Sequence, residues 1–409
     1  MSGVIPLDEA RAHVLDRVKP MMPVRVSSTA AHGCVLAEPV VAAEAVPAFD
    51  NSAMDGYAVR AADTVGAPLE LPVVGVLAAG ADPATITVGP GQAARIMTGA
   101  ALPEGADAIV IVEQTTPVDD GRRVRSDTAV DEGEHVRRAG DDIHSGDLVI
   151  DAGTQLTAAH LGVLASLGVI EVAVVPRLRV GVLSTGDELV EGALPLRPGQ
   201  LRDSNRHALL PMLAEAGCDP VDLGLVRDDR AAISDAIEKA VASCDALLTS
   251  GGVSMGDFDE VKAVLSERAD DMRWMQIAIR PAKPFAFGML DGTPVFGLPG
   301  NPVSSIISFE LLARPALRKM MGHADDQLDR PRLKAVADDD IRRRPDGKTH
   351  FARVVISVDD GRLHARAVEG QGSHQLAAMA TANALAVLPD GYGVPLGDEL
   401  EVIPLTWPA

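Results

Sequence analysis

The apolar positions in the first part of the chain change period twice. They recur at helical spacing over 7–18, and prolines then end the pattern. Short alternating runs separated by glycine and proline follow over 46–136 and are typical of β structure. Helical spacing returns over 158–167, where Thr157 suits the N-cap and Gly168 the C-terminal end. The pattern predicts a split helical domain (1–45 and 137–176) interrupted by a β domain (46–136).

Strands and helices alternate from Arg179 to about Gly322. Strands are predicted at 180–184, 221–225 and 246–250, and helices after Ser204, over 229–242 and over 261–265. This alternation predicts a domain over 177–326 with a central doubly wound, mostly parallel sheet and helices on both faces. We expect Pro211 to kink its helix or to end it early.

A β pattern returns after Arg330. Runs at 351–358 and 363–367 flank Asp360-Gly361, a dipeptide typical of hairpin turns, and no long helical pattern follows. A C-terminal β domain over 327–409 is therefore predicted. The fold class expected for the whole chain is multidomain α/β plus β.

Composition narrows the classes of partner. The chain has 37 Lys and Arg residues against 58 Asp and Glu residues, which gives a formal net charge of -21. Such an acidic surface repels phosphate backbones and anionic lipid, so we expect no nucleic acid partner and no membrane insertion. An anion must then be bound in a local basic pocket.

Cysteine usage and the N-terminus point to one compartment. Cys34, Cys218 and Cys244 are far apart and have no spacing typical of a disulfide framework or a zinc site. The N-terminus lacks the basic and apolar regions of a signal peptide. We predict a cytoplasmic protein.

Three strands of the predicted parallel sheet end in loops of small residues, at 185–188, 250–257 and 298–302. Such strand ends share one edge of a sheet, where these folds bind ligands. In the second loop we predict that Gly251, Gly252 and Ser254 bind the cofactor.

The third loop combines residues that suit the start of a helix. Asn301 fits the N-cap and Pro302 the first helical position. The N–H groups of Val303, Ser304 and Ser305 are then expected to face an anion. An ordinary capped loop is the alternative for any one loop alone, but three loops on one edge favour a binding site.

Carboxylates cluster near the same loops. Mg²⁺ commonly takes one or two carboxylates together with phosphate oxygens, so the cluster suits this ion. The simpler explanation for Asp229 is a helix cap. The candidates are Asp187, Glu188, Asp228, Asp229, Asp257 and Asp259.

Two cations stand on a stiff segment, Arg280-Pro281-Ala282-Lys283-Pro284. Each proline restricts its own φ and the residue before it, so the pair is suited to holding a small oxyanion. Arg353 and Ser373 offer further donors, although each taken singly is more simply a solvated surface group.

Three segments near or within the predicted β insert are dense in turn-forming residues around charged ones. They are FDNSAMDGYA at 49–58, RIMTGA at 95–100 and RRAGDD at 137–142. Turn formation and surface solvation are the alternatives to a functional role.

Six strings together resemble the MoeA and gephyrin E-domain family of molybdopterin molybdenumtransferases. They are FDNSAMDGYA, RIMTGA, STGDEL, SGGVSMGDFD, AIRPAKPFAFG and GLPGNPVS, in order along the chain, with the similarity running from about residue 7 to 405. The resemblance implies four domains and a homodimer, in which the α/β domain of one subunit and the first two domains of the other form the site. It also implies insertion of molybdenum from molybdate into adenylylated molybdopterin, with release of AMP and with Mg²⁺ as the metal.

The resemblance also implies roles for individual residues. It assigns to substrate, Mg²⁺ or active-site integrity a set of six: Asp55, Thr98, Asp142, Glu188, Asp228 and Asp259. Glu188, Asp228 and Asp259 are the predicted metal ligands within this set. It assigns to molybdate a second set: Arg280, Lys283, Ser304, Arg353 and Ser373.

The sequence departs from the family pattern at three nearby positions. Gln276 and Arg280 stand where Lys is common, and Ala282 stands where Gly is usual. Arg280 keeps the charge but can bind in a fork, which changes how it meets an oxyanion.

Two other functions are compatible with parts of the pattern. One is a gephyrin-like dimeric scaffold that binds a peptide of a membrane or cytoskeletal partner, alone or alongside the enzyme activity. The other is the adenylyltransferase that acts one step earlier, but the additional domains argue against it. That upstream adenylyltransferase is instead an expected partner in the pathway.

Overall fold

The computed structural model describes residues 3–252 and 260–407. The predicted site residues Ser254 and Asp259 lie outside these ranges. The chain forms two compact units. Unit 1 comprises Met1–Arg25, Gly33–Ala37 and Ala173–Ala409, and unit 2 comprises Val26–His32 and Glu38–Val172.

Unit 2 is built on a six-stranded sheet, as the alternating pattern predicts. Apolar residues such as Val59, Leu71 and Val124 fill one of its cores. The one α-helix described in this unit, Ala158–Ser166, begins after Thr157, whose N–H donates to His160 Nδ1 at 3.0 Å. In spatial order the strands are Ala108–Ile111, Gly56–Val59, Ala93–Ile96, Leu69–Leu77, Arg123–Ser126 and Thr115–Val118.

The central sheet of unit 1 confirms the predicted α/β domain. Four neighbouring strands are parallel, and two antiparallel strands complete one side. Successive strand residues enter opposite cores: Leu247 packs in one and Leu248 in the other. The strands, in spatial order, are Asp219–Val226, Arg179–Thr185, Ala246–Ser250, Thr293–Leu298, Pro284–Leu290 and Asp270–Gln276.

Helices cover both faces of this sheet because apolar side chains of the strands point both ways. Leu209 and Phe309 pack in one core, and Ile233 and Val261 in the other. The helices of the unit include Leu7–Leu15, Asn205–Glu215, Arg230–Ser243, Glu260–Arg268, Pro302–Ser308 and Arg314–Met320, the last two joined by the π-helical turn Phe309–Ala313.

Of the two outcomes predicted at Pro211, a kink or an early end of the helix, the early end is wrong. The helix runs from Asn205 to Glu215 with Pro211 inside it. Leu209 and Leu213, on either side of the proline, are fully buried. Their burial on the sheet offsets the loss of one backbone hydrogen bond at the proline.

The C-terminal part of unit 1 is a closed β structure. The strand Thr349–Asp359 pairs on one side with Arg362–Ala367 and on the other with Ala384–Leu388, and Leu333–Ala337 and Glu399–Pro404 close the ring. The predicted hairpin turn at Asp360-Gly361 is confirmed, with φ of 44° and 73°. A short helix, Leu376–Thr381, lies before the strand Ala384–Leu388.

One short strand links the sheet of the α/β domain to this β ring. Ile279–Arg280 pairs in parallel with Thr349 and His350. Arg280 is thereby held on the β ring while Lys283, three residues later, precedes the strand Pro284–Leu290. Within residues 3–252 and 260–407, none of the helices has the length and apolar character that a membrane span needs.

Candidate functional site

The three predicted loops meet at one edge of the sheet in unit 1. The strands that precede them, Arg179–Thr185, Ala246–Ser250 and Thr293–Leu298, are parallel neighbours. The N–H of Gly251 donates to Leu298 O at 3.1 Å, and a Cβ at Gly251 would lie 3.2 Å from Thr185 O. The expectation of a shared edge is therefore confirmed.

Gly251 and Gly252 are glycines for two physical reasons. Both have positive φ, +97° and +76°. A Cβ at Gly252 would also lie 2.5 Å from the Cβ of Val261, so a larger residue would displace the helix Glu260–Arg268. The close approach of loop and helix therefore depends on these residues, whatever ligand they contact.

A pocket of about 430 Å³, hereafter the basic pocket, brings together four of the five residues predicted to bind an oxyanion. Arg280 and Lys283 are exposed at its wall, and Ser304 is buried there. Ser373 lines it from the loop that precedes the helix Leu376–Thr381. A third cation that the sequence did not single out, Lys348, also lines this pocket.

The expected set of three free N–H groups at the helix start is wrong for two of them. Val303 N–H donates to Ser373 O at 3.1 Å, and Ser305 N–H donates to Asn301 O at 2.9 Å. The first bond ties the loop of Ser373 to the helix that begins at Pro302. Of the three amides, Ser304 remains the candidate donor to an anion.

The fifth predicted residue, Arg353, lies behind the loop instead of lining the basic pocket. It is fully buried, and its Nη2 donates to Gly370 O at 2.7 Å and to Gly372 O at 3.2 Å. Its Nε and Nη1 have no hydrogen-bond acceptor among the described residues. Burial lowers the pKa of this arginine, because a charged group is costly away from water.

A second pocket of about 620 Å³, hereafter the sheet-edge pocket, adjoins the basic pocket. Glu188 and Gly251 line it, as do Asp203 and Asn205 at the start of the helix Asn205–Glu215. The two pockets share Pro284, Asn301, Ser304 and His374. A ligand that fills one therefore contacts the same segment as a ligand in the other.

The three turn-rich segments of unit 2 are joined by hydrogen bonds. Asp55 Oδ1 accepts from Thr98 N–H at 2.7 Å and from Thr98 Oγ1 at 2.8 Å. These bonds, the backbone one first, lower the pKa of Asp55. Asp50 accepts from Arg138 and from the N–H of Ala139, at 2.7 and 2.8 Å. Asp142, in the same segment as Arg138 and Ala139, is exposed.

The sequence is similar over nearly its whole length to proteins of known function. It is 39% identical over 404 residues to the molybdopterin molybdenumtransferase of Haemophilus influenzae, with 98% of each chain covered. It is 39% identical to molybdopterin molybdenumtransferase 2 of Mycobacterium tuberculosis, over 98% of this chain and 99% of that protein. The chain belongs to the molybdopterin molybdenumtransferase family.

Family models and a solved structure agree with this assignment. Models match at 5–168 (MoeA N-terminal region, domain I and II), 181–319 (probable molybdopterin binding domain) and 334–405 (MoeA C-terminal region, domain IV). The crystal structure of the molybdopterin biosynthesis MoeA protein of Pyrococcus horikoshii is 31% identical, with a TM-score of 0.79 and coverage of 99% and 100% of the two chains. The family and the multidomain fold predicted from the motifs are confirmed; the four domain boundaries stay a prediction.

Of the carboxylates predicted as metal ligands, Glu188 and Asp228 are exposed. Asp187 and Asp228 each accept weakly from the other's N–H, at 3.3 and 3.4 Å. Asp229 accepts from Ala232 N–H at 2.8 Å, which confirms its role as a helix cap. Over residues 3–252 and 260–407 no group of three or more metal-ligating side chains is assembled. The set Glu188, Asp228 and Asp259 stays a prediction.

Three residues that line the two pockets were missed by sequence reasoning: Asp203, Asn205 and Lys348. Asp203 and Arg206 are buried and joined by an ion pair at 3.0 Å. The signal for the first two was the polar run Asp-Ser-Asn-Arg at 203–206, at the start of the helix Asn205–Glu215. Lys348 gave no such signal, because only the folding of the β ring brings it to the basic pocket.

Proposed function

We propose that this protein transfers molybdenum from molybdate into adenylylated molybdopterin and releases AMP. One observation carries the proposal. The described lining of the basic pocket contains three cations, Arg280, Lys283 and Lys348, and no carboxylate, although Lys348 also pairs with Asp346 beside this lining at 3.5 Å. In a chain with a net charge of -21, such a surface is suited to a small dianion.

Molybdate is a tetrahedral dianion, and the donors of the pocket differ in kind. The two flexible ammonium groups supply charge, and the guanidinium of Arg280 supplies paired N–H donors. Ser304 and Ser373 add hydroxyl donors that fix orientation. Arg353, held directly behind the loop of Ser373, adds positive potential from a dry environment, where a charge acts more strongly than in water.

The sheet-edge pocket is the proposed site of the pterin adenylate. Its glycine loop lets a ligand approach the backbone closely, and it shares Asn301 and Ser304 with the basic pocket. An acceptor bound there has its dithiolene next to the oxyanion, so metal transfer needs no long movement of molybdate. Proximity of the two reactants is itself a large part of such catalysis.

Mg²⁺ fits the donor chemistry of this edge. Glu188 and Asp228, with Asp259, would hold it, and substrate phosphate oxygens would complete its coordination. When bound, the ion neutralises phosphate charge during adenylate cleavage. Asp259→Asn is expected to slow AMP release in limiting Mg²⁺ while leaving the melting temperature unchanged; a wild-type rate would remove Asp259 from the metal site.

A homodimer and a cytoplasmic location complete the proposal. Asp55, Thr98 and Asp142 are expected to act on the substrate bound by a second subunit, and an upstream adenylyltransferase to supply that substrate. The described cysteines are all free and buried, as suits a reducing compartment. Light scattering tests the dimer: a stable monomer with full activity contradicts the shared site.

The deciding experiment is AMP release from adenylylated molybdopterin, with and without molybdate. We expect molybdate-stimulated AMP release and a molybdenum-containing pterin product. The same rate of AMP release with and without molybdate, or no AMP release at all, contradicts the proposed function. The scaffold alternative has no particular contact in its favour among the described residues.

A further inference from the structure

Asn205 joins two of the loops at the sheet edge. Its Nδ2 donates to Ser250 Oγ at 2.7 Å and to Gly300 O at 2.8 Å. Ser250 ends the strand Ala246–Ser250, and Gly300 belongs to the loop after Thr293–Leu298. Asn205 is the first residue of its helix and is 8% exposed; its bond to Ser250 Oγ is buried, and its bond to Gly300 O is partly buried.

The orientation of this amide follows from its partners. Gly300 O can only accept a hydrogen bond, so the nitrogen of Asn205 must face it. The two hydrogens of the amide are then both used, one on each loop. The Oδ1 atom is buried and has no donor among the described residues. Replacing Asn205 therefore removes a pair of hydrogen bonds from one nitrogen, Nδ2, to Ser250 Oγ and Gly300 O, hereafter the fork.

Both bonded loops line the sheet-edge pocket, and the loop of Gly300 continues into the basic pocket. Ser250 and Gly251 line the sheet-edge pocket, whereas the segment that follows Gly300 lines both pockets through Asn301 and Ser304. Movement of Gly300 relative to Ser250 therefore changes the distance between the two proposed ligands.

We propose that Asn205 is a positioning residue for metal transfer: it holds the loop of the pterin adenylate and the loop of molybdate in one register. This inference rests on the proposed function. Asn205 also lines the sheet-edge pocket, but both N–H groups of its amide are used by the loops. Its loss leaves Ser250 Oγ buried without this donor and removes the side-chain bond to Gly300 O, so the two loops are no longer tied to each other.

Two variants test the donor role. Asn205→Ala removes the side chain, and Asn205→Asp keeps its shape but presents a carboxylate to Gly300 O. We expect both to lower kcat/KM for AMP release by about ten- to a hundredfold at pH 8, because Asn205→Ala loses both hydrogen bonds and Asn205→Asp replaces the donor to Gly300 O with a charged acceptor. Since the loops carry both ligands, KM for molybdate is expected to rise together with KM for the adenylate.

The pH profile separates donation from packing. Burial beside a carbonyl raises the pKa of a carboxyl group, and the protonated acid donates one hydrogen bond. The activity of Asn205→Asp relative to wild type is therefore expected to rise several-fold from pH 8 to pH 6. The ratio for Asn205→Ala is expected to stay flat, because alanine has no proton to regain.

Hydrogen exchange of the ligand-free protein tests the clamp without any reaction. The N–H of Gly251 bonds to Leu298 O, and the N–H of Ser305 bonds to Asn301 O. Both amides are expected to exchange about tenfold faster or more in the two variants. Asn383→Ala is the matched control, since Asn383 also makes two side-chain bonds, to the N–H and C=O of Ile356 in the β ring.

The outcomes are distinct. Faster exchange at both loops in the Asn205 variants, but not in Asn383→Ala, supports the clamp. Wild-type exchange at both loops, or the same change in Asn383→Ala, overturns it. If exchange changes while kcat/KM and both KM values do not, the positioning role is wrong. A wild type that releases no AMP refutes the proposed function, and the exchange result still decides the clamp.

Discussion

Two buried arginines of unit 1 differ in what surrounds their charge. Arg206 is 3% exposed and pairs with three carboxylates, those of Asp203, Asp222 and Glu191. Arg353 is 0% exposed and bonds only to carbonyl oxygens, with two nitrogens lacking an acceptor among the described residues. One charge is neutralised within the fold, and the other is not.

The difference separates a structural arginine from one that is suited to an anion. Burying an unpaired guanidinium costs stability, so its retention next to a basic pocket favours a functional reason. Arg206, by contrast, lies in the helix Asn205–Glu215 and connects it by ion pairs to Asp203, Asp222 and Glu191. The same residue type therefore supports the fold at one position and the chemistry at the other.

The largest expected effect is on stability at Arg206. Arg206→Ala leaves Asp203 buried without its partner and is expected to cost about 3–5 kcal/mol of the free energy of unfolding. Arg353→Met removes an unpaired buried charge and is expected to change it by less than about 1 kcal/mol. Urea unfolding followed by fluorescence of Trp274 and Trp407 measures both. Equal losses for the two variants would remove the distinction between them.

Arg318 is half-buried and lies beside His323, whose titration makes stability depend on pH. Its Nη2 lies 3.2 Å from His323 Nδ1. Burial first, and Arg318 second, lower the pKa of His323 to about 4. Because the folded pKa is below the unfolded one, this contribution is present above about pH 6.5 and is lost as pH falls towards 4.

The corresponding variant is His323→Gln, which cannot gain a proton. Wild type is expected to lose on the order of 2–3 kcal/mol more than the variant between pH 6.5 and pH 4. Urea titrations of both proteins across this range measure the difference. Parallel pH profiles would show that His323 does not titrate in this way.

The next effect concerns the anion itself. Lys283→Ala is expected to weaken molybdate binding by about ten- to a hundredfold, because it removes a charge-assisted hydrogen bond of roughly 1.5–3 kcal/mol. Arg353→Met should weaken it as well while leaving stability unchanged. Calorimetric titration measures both affinities.

The control for charge is Lys334→Ala, since Lys334 is exposed and pairs with Glu399 at 3.2 Å, away from the basic pocket. It removes the same charge and is expected to change molybdate affinity little. A similar loss of molybdate affinity in Lys283→Ala and Lys334→Ala would mean that the anion responds only to the net charge of the protein and does not contact Lys283.

The smallest effect is expected at Ala282, between the two cations. This alanine is buried and has a φ of 75°, where glycine is favoured. Ala282→Gly relieves this strain but adds chain entropy and removes a buried methyl group, so stability is expected to change by less than about 1 kcal/mol. Thermal unfolding measures it, and a larger gain would mean that the alanine strains the cation segment.

Much of the fold was predictable because its signals are local. Apolar period, turn chemistry and capping residues indicated the central strands, the helix after Asp229 and the hairpin at Asp360-Gly361. The same local signals indicated three loops on one sheet edge. Of the two outcomes predicted at Pro211, the early end was wrong, because burial of its neighbours on the sheet outweighed a local preference.

By itself the sequence determined the family, the fold class and the grouping of Arg280, Lys283, Ser304 and Ser373, since short motifs carry these properties. Only the tertiary structure decided that Arg353 lies behind the loop, that Ser373 O occupies the amide of Val303, and that Lys348 joins the pocket. It also decided the fork of Asn205, whose partners are 45 and 95 residues away. Contacts over such separations depend on how strands and loops assemble, which no local pattern encodes.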